Sequence, residues 1–558
     1  MAMARCGIRR TPVNLQPESG WKSATHGAPC GWPELNRDNK MGFDRLAGAL
    51  GMLALSASVP LFSGCVALPP LDNRSPSTVV TDTGTTRLGQ TIAPLVAAHP
   101  GKTGFHPLVD GRDAFAARVL MARAAERSID VQYYIWHKDI TGTLLFEALR
   151  EAADRGVRVR LLLDDNNTSG LDGTLAALDA HPNIEVRLFN PTMTRKQRWV
   201  GLLSDFSRLN RRMHNKSFTV DNLATVVGGR NVGDEYFGAA EGVLFVDVDV
   251  LAVGEVVQEV SRDFDRYWAS DSAYPADRVL SPADKDDLAE LAAAAALTEQ
   301  NMAAAAYVEA LLETRIVQAL FEGSLVLEWA NAQMISDDPA KGLGKAEPGG
   351  LLLQKLKPVI GEPASTMDLV SPYFVPAVSG TEWFTTLAKQ GVSVRILTNA
   401  QEATDVSPVH AGYAKRRKDL LKAGVKLYEM QRQSPASKAK ERGRFGSSSG
   451  SSLHAKTFAV DQSRAFIGSF NFDPRSAELN TEMGFVIDSP TLARGISETF
   501  DNIIPSRAYE VRLTESGKLN WIERDEGKEV VHETEPGTNV LQRGFVQFMT
   551  LLPIDWLL

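Results

Sequence analysis

One residue pattern occurs twice in this chain with the same internal spacing. The first copy reads His214-x-Lys216, four residues, Asp221, six residues and Gly228-Gly229-Arg230-Asn231. The second copy reads His454-x-Lys456, four residues, Asp461, six residues and Gly468-Ser469-Phe470-Asn471. A single His-x-Lys would carry no weight. Two copies with matched Asp, Gly and Asn positions, offset by 240 residues (454 − 214), predict two related halves.

The segments around the two motifs follow one another in the same order. In the first half, periodicity predicts strands over 128–136, 157–163, 184–189 and 213–221, with helices over 141–155 and 171–180. In the second half it predicts strands over 367–374, 392–397, 425–428 and 453–461, with helices over 380–390 and 411–423. Such alternation favours parallel strands covered by helices. The predicted fold is α/β, with duplicated lobes that each contain a mostly parallel β-sheet flanked by helices.

The predicted organisation is an N-terminal extension and signal (1–64), a linker (65–104), a first lobe (105–295) and a second lobe (296–558). An Ala-rich helical stretch at 283–320 is expected to bridge the lobes. Residues 434–452 lack periodicity and predict a loop directly before the second motif. The apolar tail Phe545–Leu558 is too short to span a bilayer, so we expect it to pack against a lobe.

An apolar run from Leu46 to Gly64 ends directly before Cys65. A short apolar segment followed by small residues and Cys resembles a bacterial lipoprotein signal, in which the Cys is acylated. An uncleaved anchor helix is the alternative interpretation of this run. Residues 1–40 are interpreted as an extension, since Met41 would open a signal of ordinary length. The expected location is therefore the bacterial cell envelope, with Cys65 as the lipid attachment site.

Each motif brings together groups that suit a phosphate diester. In a strand, residues i and i+2 point to the same face, so the His and Lys of each motif would share one side. A turn at Asp221 or Asp461 would send the chain back, and the small residues after it let backbone approach a ligand. Asn231 and Asn471 would then reach the same place. Such a pocket can bind phosphate oxygens while one His attacks and the other protonates the leaving oxygen.

The duplicated motif resembles the hallmark of the phospholipase D superfamily, and the resemblance covers roughly residues 105–558. Within that superfamily the chain is most similar to bacterial cardiolipin synthases, and among these to the C type. The supporting segments are Tyr133-Tyr134-Ile135-Trp136, Leu161-Leu162-Leu163-Asp164-Asp165, the stretch Gly228–Tyr236, Asp337-Asp338-Pro339-Ala340-Lys341 and the tail Leu552–Leu558. The resemblance implies two phospholipase D-like lobes related by a pseudo-twofold axis, with one shared active site. It departs in one respect, since such synthases often carry paired transmembrane helices.

The resemblance also implies a phosphatidyltransferase that makes cardiolipin from phosphatidylglycerol and a second phospholipid, either phosphatidylglycerol or phosphatidylethanolamine. His214 would attack the phosphorus to form a phosphatidyl-histidine, while His454 protonates the departing alcohol and then activates the incoming one. The non-bridging oxygens would be held by Lys216, Lys456, Asn231 and Asn471. This scheme uses no cofactor and no catalytic metal. Since both motifs lie on one chain, a monomer is sufficient for the active site.

Two further carboxylates align across the repeats, Asp247 and Glu482. We expect them to hydrogen-bond the second imidazole nitrogens and so orient the motif histidines, with ordinary ion pairing as an equal alternative. Asp221 and Asp461 belong to the catalytic motif by resemblance, but they are expected to fix the turns rather than to touch substrate.

The net charge of the chain and the identity of the acceptor molecule separate the alternative functions. The chain has a formal net charge of -8, and a body this acidic is not expected to bind nucleic acid by bulk electrostatics. Two basic runs, 195–198 and 415–418, are either solvated faces or attract anionic headgroups at the membrane surface. With water as acceptor the same pocket would be a phospholipase D. A nuclease of the superfamily and a non-catalytic envelope protein are the remaining alternatives.

Overall fold

The computed structural model describes residues 68–239, 245–284, 286–300, 307, 314–432, 452–525 and 527–558. The predicted signal, Cys65 and all but the last residue of the predicted loop 434–452 lie outside these ranges. Within them, none of the helices combines the length and the apolar character that crossing a bilayer requires.

Strands and helices alternate along both halves of the chain. The strands are β1 Thr103–Leu108, β2 Ser128–Ile135, β3 Arg158–Asn167, β4 Ile184–Phe189, β5 Ser217–Val220, β6 Ala224–Gly228, β7 Phe245–Val246, β8 Asp249–Gly254, β9 Ala273–Pro275, β10 Glu328–Ala330, β11 Ala332–Ser336, β12 Thr366–Val370, β13 Ser393–Asn399, β14 Lys426–Met430, β15 Ser452–Leu453, β16 Thr457–Val460, β17 Arg464–Gly468, β18 Met483–Ile487, β19 Ala508–Leu513, β20 Leu519–Asp525 and β21 Lys528–His532. The α-helices are α1 Arg87–Ala98, α2 Gly111–Ala124, α3 Ile140–Asp154, α4 Asp172–Asp179, α5 Arg198–Ser204, α6 Phe206–Leu209, α7 Asp234–Phe237, α8 Glu255–Trp268, α9 Asp287–Gln300, α10 Ile316–Phe321, α11 Leu352–Ile360, α12 Ala377–Lys389, α13 Ser407–Ala414, α14 Arg417–Lys422, α15 Pro474–Glu478, α16 Pro490–Asn502, α17 Ile504–Arg507 and α18 Val540–Met549.

Two large sheets contain the same run of eight strands. The first sheet has the order β10-β1-β8-β6-β5-β2-β3-β4-β9, and the second has the order β11-β18-β17-β16-β12-β13-β14-β19-β20-β21. Aligned from β1 and β11, each strand up to β9 has a counterpart up to β19, with the same pairing directions. Strand β10 is an addition to the first sheet, and the β20–β21 hairpin is an addition to the second. The prediction of two duplicated α/β lobes is confirmed.

The sheets are mixed rather than mostly parallel, which corrects the predicted strand direction. Among the described strands of the two large sheets, only β2–β3–β4 and β12–β13–β14 pair in parallel. Helices α3 and α4 connect the parallel strands of the first lobe, whereas a short turn joins β5 to β6 and another joins β16 to β17. A short turn forces its two strands to run antiparallel. The motif strands therefore run against the parallel half of each sheet.

The domain limits differ from those predicted. Residues 65–104 are not a linker throughout, because α1 buries Leu88 and Ile92 in the core of the first lobe. The Ala-rich helix α9 packs on α3 and α4 of that lobe rather than bridging the two. The chain leaves the first sheet after β10 and enters the second at β11, so the crossing lies at Asn331 rather than after residue 295. The Ala-rich composition indicated helix correctly but contained no signal for its packing partner.

Each lobe has its own hydrophobic core, and a third apolar cluster joins them. This cluster contains Val227 and Val250 from the first lobe and Met483 and Phe485 from the second. Next to it, β7 of the first lobe pairs in parallel with β15 of the second. The seam thus lies along β6, β8, β17 and β18, at the strands that follow each motif.

Candidate active site

Each motif begins a β-hairpin whose turn has left-handed backbone conformation. Asp221 and Asn222 have positive φ angles of 50° and 55°, and Asp461 and Gln462 have φ angles of 51° and 49°. Asp and Asn tolerate this region better than most residues. The motif histidines precede the hairpin strands rather than lying within them, since β5 begins at Ser217 and β16 begins at Thr457.

The two motif aspartates fix these turns to the preceding strand of the sheet. Asp221 accepts hydrogen bonds from the backbone N–H groups of residues 126–128, at distances of 2.8 to 3.3 Å. Asp461 accepts in the same way from the backbone N–H groups of residues 364–366. Each Asp lies at the far end of a four-residue strand, about 15 Å along the chain from the motif Lys. These contacts agree with the expectation that both Asp residues fix the turns, and their membership of the catalytic motif stays a prediction.

His214 is held by residues of the second lobe. Its backbone N–H donates to the carbonyl of Thr481 at 2.8 Å, and its Nδ1 lies 2.8 Å from Glu482 Oε2. Glu482 is fully buried and also accepts hydrogen bonds from the hydroxyls of Ser469 and Ser476. Because Nδ1 is engaged, Nε2 is the ring nitrogen left for a ligand.

His454 is held by the first lobe in the same way. Its backbone N–H donates to the carbonyl of Val246 at 2.9 Å, and its Nδ1 lies 2.5 Å from Asp247 Oδ2. Each carboxylate thus orients the histidine of the other lobe. The sequence predicted Asp247 and Glu482 as a matched pair, but only the folded chain reveals that the contacts cross the seam.

The motif lysines complete one buried cluster. Lys216 Nζ donates to the carbonyl of His214 at 2.6 Å, and Lys456 Nζ lies 3.0 Å from both ring nitrogens of His454. The charge of Lys456 also acts on His214, and that of Lys216 acts on His454. The two motifs are therefore close enough to share one electrostatic environment.

This environment favours neutral imidazoles. Burial lowers the pKa of His214 well below its ordinary value, and the neighbouring Lys216 and Lys456 lower it further. Burial and then Lys456 lower the pKa of His454 to about 4, although Asp247 acts in the opposite direction. Burial also lowers the pKa of Lys456 to about 8. The positive charges of Lys216 and Lys456 are costly to bury, and a bound anion would offset that cost. The site therefore favours the binding of an anion.

The two carboxylates differ in charge. Burial alone would raise the pKa of Asp247, but His454 and Lys456 outweigh it and keep that pKa below its ordinary value. Burial raises the pKa of Glu482 to about 7, with Lys216 acting against it. Asp247 therefore carries its negative charge at neutral pH, whereas Glu482 is near its midpoint.

The small residue beside each carboxylate also differs between the two lobes. A Cβ atom added at Gly229 would lie 2.2 Å from Asp247 Oδ1, so the first lobe has no room for a side chain there. The second lobe has Ser469 at the equivalent position, and its hydroxyl donates to Glu482. The substitution of Gly by Ser across the repeat thus gives Glu482 a hydrogen bond that Asp247 lacks.

The two motif asparagines are not equivalent. Asn231 Oδ1 accepts from the backbone N–H of Ile135 at 3.2 Å, and its Nδ2 donates to the Tyr236 hydroxyl at 3.1 Å. Its carboxamide therefore already bonds to the protein, which differs from the predicted role in holding phosphate. Asn471 Oδ1 is buried without a hydrogen-bond partner among the described residues.

Aromatic rings beside both imidazoles were not predicted as site residues. Tyr134 contacts His214 edge-on with ring centroids 4.9 Å apart, and Tyr236 contacts His454 in the same way at 5.1 Å. Phe245 also lies 5.2 Å from His454. Tyr134 stands in a strand pattern and Tyr236 follows the first Asn, so neither position indicated a contact with a motif histidine.

A buried ion pair between Asp337 and Lys341 holds the backbone of Glu482. Asp337 Oδ2 accepts from the backbone N–H of Glu482 at 2.8 Å and from Lys341 Nζ at 2.9 Å. Lys341 also donates to the carbonyl of Ser476 at 2.8 Å. Both members of the pair are at most 2% exposed. The segment 337–341 thus fixes the residue that orients His214.

In the part of the chain that the structure describes, one group of side chains has metal-ligand types close together: His137, Asp139 and Glu235. Asp139 already accepts from the backbone N–H groups of Gly142 and Asp234, and His137 Nδ1 lies 3.2 Å from Glu235 Oε1. Asp139 thus caps helix α3, and the three residues are not part of either motif.

A model of the family described as "Cardiolipin synthase, PLD-like domain" matches residues 120–268 and 356–504, once in each lobe. The chain belongs to the phospholipase D superfamily. Within this superfamily it is 49% identical over 473 residues to the protein named cardiolipin synthase C of Escherichia coli, which covers 85% of this chain and 100% of that protein. The predicted resemblance to the C type is confirmed.

Two further proteins are similar to most of this chain. An uncharacterized protein of Helicobacter pylori is 30% identical over 89% of this chain and 98% of its own length. The crystal structure of a phosphatidylserine synthase from Haemophilus influenzae matches 85% of this chain and 100% of its own, with a TM-score of 0.52 and 14% identity. At that identity the likeness concerns the fold alone.

Proposed function

We propose that this superfamily member is a phosphatidyltransferase that joins two phospholipids into cardiolipin, with phosphatidylglycerol as acceptor. The donor is phosphatidylglycerol or phosphatidylethanolamine. The observation that carries the proposal is the crossed pairing of His214 with Glu482 and of His454 with Asp247. It supports two oriented imidazoles acting on one phosphorus. The similarity to a protein named cardiolipin synthase C supports the substrate class.

In the first step, His214 Nε2 attacks the phosphorus of the donor. A P–N bond forms, the P–O bond to the headgroup alcohol breaks, and protonated His454 gives its Nε2 proton to the departing oxygen. In the second step, neutral His454 takes a proton from the primary hydroxyl of phosphatidylglycerol. That oxygen bonds to phosphorus, and the P–N bond breaks.

The charges of the site support this assignment of roles. Asp247 is ionised at neutral pH and stabilises the imidazolium that His454 must form during proton transfer. Burial and Lys456 favour neutral His454, and a phosphodiester anion bound beside it would raise its pKa towards neutrality. Lys216, Lys456 and Asn471 are the candidates to hold the non-bridging oxygens, each contributing about 3 kcal/mol.

One assay separates the proposed transfer from its alternatives. The purified protein is incubated without divalent metal with vesicles of phosphatidylglycerol, alone and mixed with phosphatidylethanolamine, and separately with plasmid DNA. We expect cardiolipin from the vesicles, with release of glycerol if the donor is phosphatidylglycerol and of ethanolamine if it is phosphatidylethanolamine. Phosphatidic acid as the main product would instead make the protein a phospholipase D, and nicked plasmid would make it a nuclease.

The role of each histidine is tested with a donor that carries p-nitrophenol, a leaving group that needs no acid. His454→Ala is expected to release about one equivalent of p-nitrophenol in a burst and then stall, because His214 still attacks. His214→Ala is expected to give no burst. The reverse result would exchange the two roles.

The proposal places the enzyme in the bacterial envelope, held at the membrane by acylation of Cys65. Mass spectrometry of the mature N-terminus is expected to find a lipid-modified Cys, and Cys65→Ser is expected to release the protein from membranes. An unmodified N-terminus upstream of residue 46 would instead support the anchor helix. Both motifs reach the site within one chain, which supports a catalytically competent monomer.

A further inference from the structure

The large exposed apolar side chains concentrate on two short segments. In the described residues, the exposed Trp and Phe side chains are Trp199 and Phe206 on α5 and α6, and Phe545 and Phe548 on α18, with exposures of 64%, 44%, 52% and 56%. Aliphatic neighbours are also exposed: Leu203 77%, Leu541 80% and Leu551 76%. Apolar surface concentrated in this way marks an interaction site.

The C-terminal segment only partly follows the expectation that the tail packs against a lobe. Val546 is buried, and Leu558 joins a small apolar cluster with Val375 and Val409. The opposite face of α18 carries the exposed aromatic residues. Packing thus fixes the helix in place while leaving its outward face uncovered.

Arg475 connects both segments to the active site. Its guanidinium donates to the carbonyl of Asn210, directly after α6, and its backbone N–H donates to the carbonyl of Leu558, beyond α18. The next residue, Ser476, donates to the carboxylate of Glu482, which orients His214. The residues that follow the two apolar segments, Asn210 and Leu558, therefore both contact the short helix α15, which supports the reacting histidine.

The charge around these segments favours an anionic partner. Residues 195–212 contain six Lys or Arg and one Asp, in a chain whose net charge is -8. Three carboxylates pair with this stretch, Asp164, Asp165 and Asp172, which leaves a local charge of +2 (6 − 1 − 3). Residues 540–552 contain one Arg and no acid. Both segments are thus apolar, aromatic and locally cationic.

A small apolar cavity lies beside α15. It has a volume of about 60 Å³ and is lined mainly by apolar side chains, including Trp383, Phe470, Phe472 and Pro474. Phe470 and Phe472 flank the motif residue Asn471. The cavity is too small to hold an acyl chain. The exposed helices are instead what favours a lipid partner, because their aromatic, aliphatic and basic side chains are those of helices that lie in a bilayer surface.

We propose that helices α5, α6 and α18 insert their apolar side chains into the surface of an anionic phospholipid bilayer. Helices of this kind bury the apolar face about 5–10 Å deep while basic residues stay among the headgroups. The bilayer surface would then lie beside α15, so that headgroups reach the two histidines. This inference rests on the proposed function in one respect, since it takes phospholipid to be the substrate.

Insertion is measured on the full-length protein without reference to activity. Tryptophan fluorescence is recorded with phosphatidylglycerol vesicles whose acyl chains carry bromine, for the wild type and for Trp199→Phe. We expect a quenched component in the wild type that Trp199→Phe lacks. Equal quenching in the two proteins would overturn the proposal. Because both proteins carry the same N-terminus, any lipid on it cancels in the comparison.

Activity provides the second measurement. The variants are Leu203→Ser with Phe206→Ser in one segment, and Phe545→Ser with Phe548→Ser in the other. We expect cardiolipin formation on vesicles to fall by about tenfold or more, with about twofold change at most on monomeric short-chain phosphatidylglycerol. The matched control is Val530→Ser with Val531→Ser on β21, which removes equally exposed apolar side chains away from α15 and should leave both rates unchanged.

The outcomes separate the two proposals. If the wild type makes no cardiolipin from either substrate, with or without phosphatidylethanolamine as donor, the proposed function fails while the quenching result still decides insertion. An equal loss on vesicles and on monomers would indicate structural damage and overturn the docking proposal. If the variants change the sedimentation coefficient but not the vesicle rate, a second copy of the chain covers these helices, and the proposal is wrong.

Discussion

Replacing Glu482 by Gln would remove one buried charge from the active site while keeping the shape of the side chain. Glu482 has no exposed surface, and burial raises its pKa from 4.5 to about 7. Above pH 7 the native protein must therefore hold an ionised carboxylate that water would solvate better. Glu482→Gln is expected to stabilise the protein in that range and to reduce its activity.

The sign of the stability effect follows from the raised pKa. Below pH 4.5 the carboxyl is protonated in both the folded and the unfolded state. Between pH 4.5 and 7 only the unfolded state releases the proton, so the wild type loses stability as the pH rises. Above pH 7 the loss is complete and amounts to about 3.5 kcal/mol, from about 1.4 kcal/mol per pH unit over 7 − 4.5.

The assay compares thermal unfolding of wild type and Glu482→Gln at pH 5 and pH 8. The melting temperature of the variant, relative to the wild type, is expected to be higher at pH 8 than at pH 5. Ser476→Ala is the matched control, because it removes a hydrogen bond to the carboxylate but keeps the charge. Its effect on the melting temperature is expected to be destabilising at pH 8.

Activity should change in the opposite direction. A hydrogen bond to a charged group contributes about 1 to 2 kcal/mol more than a neutral one, so kcat/KM of Glu482→Gln is expected to fall about 5- to 30-fold. Wild-type activity should decline below about pH 7 as Glu482 is protonated. The variant has no carboxylate at this position, so its pH–rate profile should lack this decline. A variant that is equally destabilised at both pH values, or that keeps full activity, would refute the reasoning.

Three further predictions concern neighbouring groups. Wild-type activity is expected to fall above about pH 8 as Lys456 loses its charge, and Lys456→Arg should lack this decline in a pH–rate profile. Lys341→Met leaves the buried Asp337 carboxylate unpaired, so stability measured in urea should fall by about 3–5 kcal/mol and recover partly in Lys341→Met with Asp337→Asn. Asp461→Ala should lower the melting temperature, because hydrogen bonds at the turn worth about 1–3 kcal/mol are lost, and should change kcat less than about threefold. An unchanged melting temperature with a large loss of kcat would indicate that Asp461 takes part in the reaction.

Much of the fold followed from local patterns in the chain. The β-branched segments and the Gly residues after helices placed β2, β3 and β4 and their counterparts within a few residues. Strand direction was wrong, because it depends on which connections are turns and which are helices. The single predicted helix over 411–423 is two, α13 and α14. The packing of α1 and α9 on the first lobe was missed, since an apolar or Ala-rich helical segment predicts that the helix packs against something but does not identify the partner.

The sequence likewise predicted some features of the candidate site and missed others. Fixed spacing singled out His214 and His454 because a duplicated constellation requires residues of the same type at equal positions. The matching order of segments in the two halves also aligned Asp247 with Glu482, although their offset of 235 residues (482 − 247) differs from that of the motif. The fixed spacing did not distinguish Asn231, whose carboxamide bonds within the protein, from Asn471, because both have the same place in the motif.

The sequence by itself determined that this chain has two related halves and which residues each half offers for chemistry. Only the tertiary structure decided that each imidazole is oriented by the carboxylate of the opposite half, across the seam formed by β6, β8, β17 and β18. The physical reason is that spacing along a chain constrains neighbours within one hairpin. Contacts between residues more than 200 positions apart depend on how two apolar sheet faces pack.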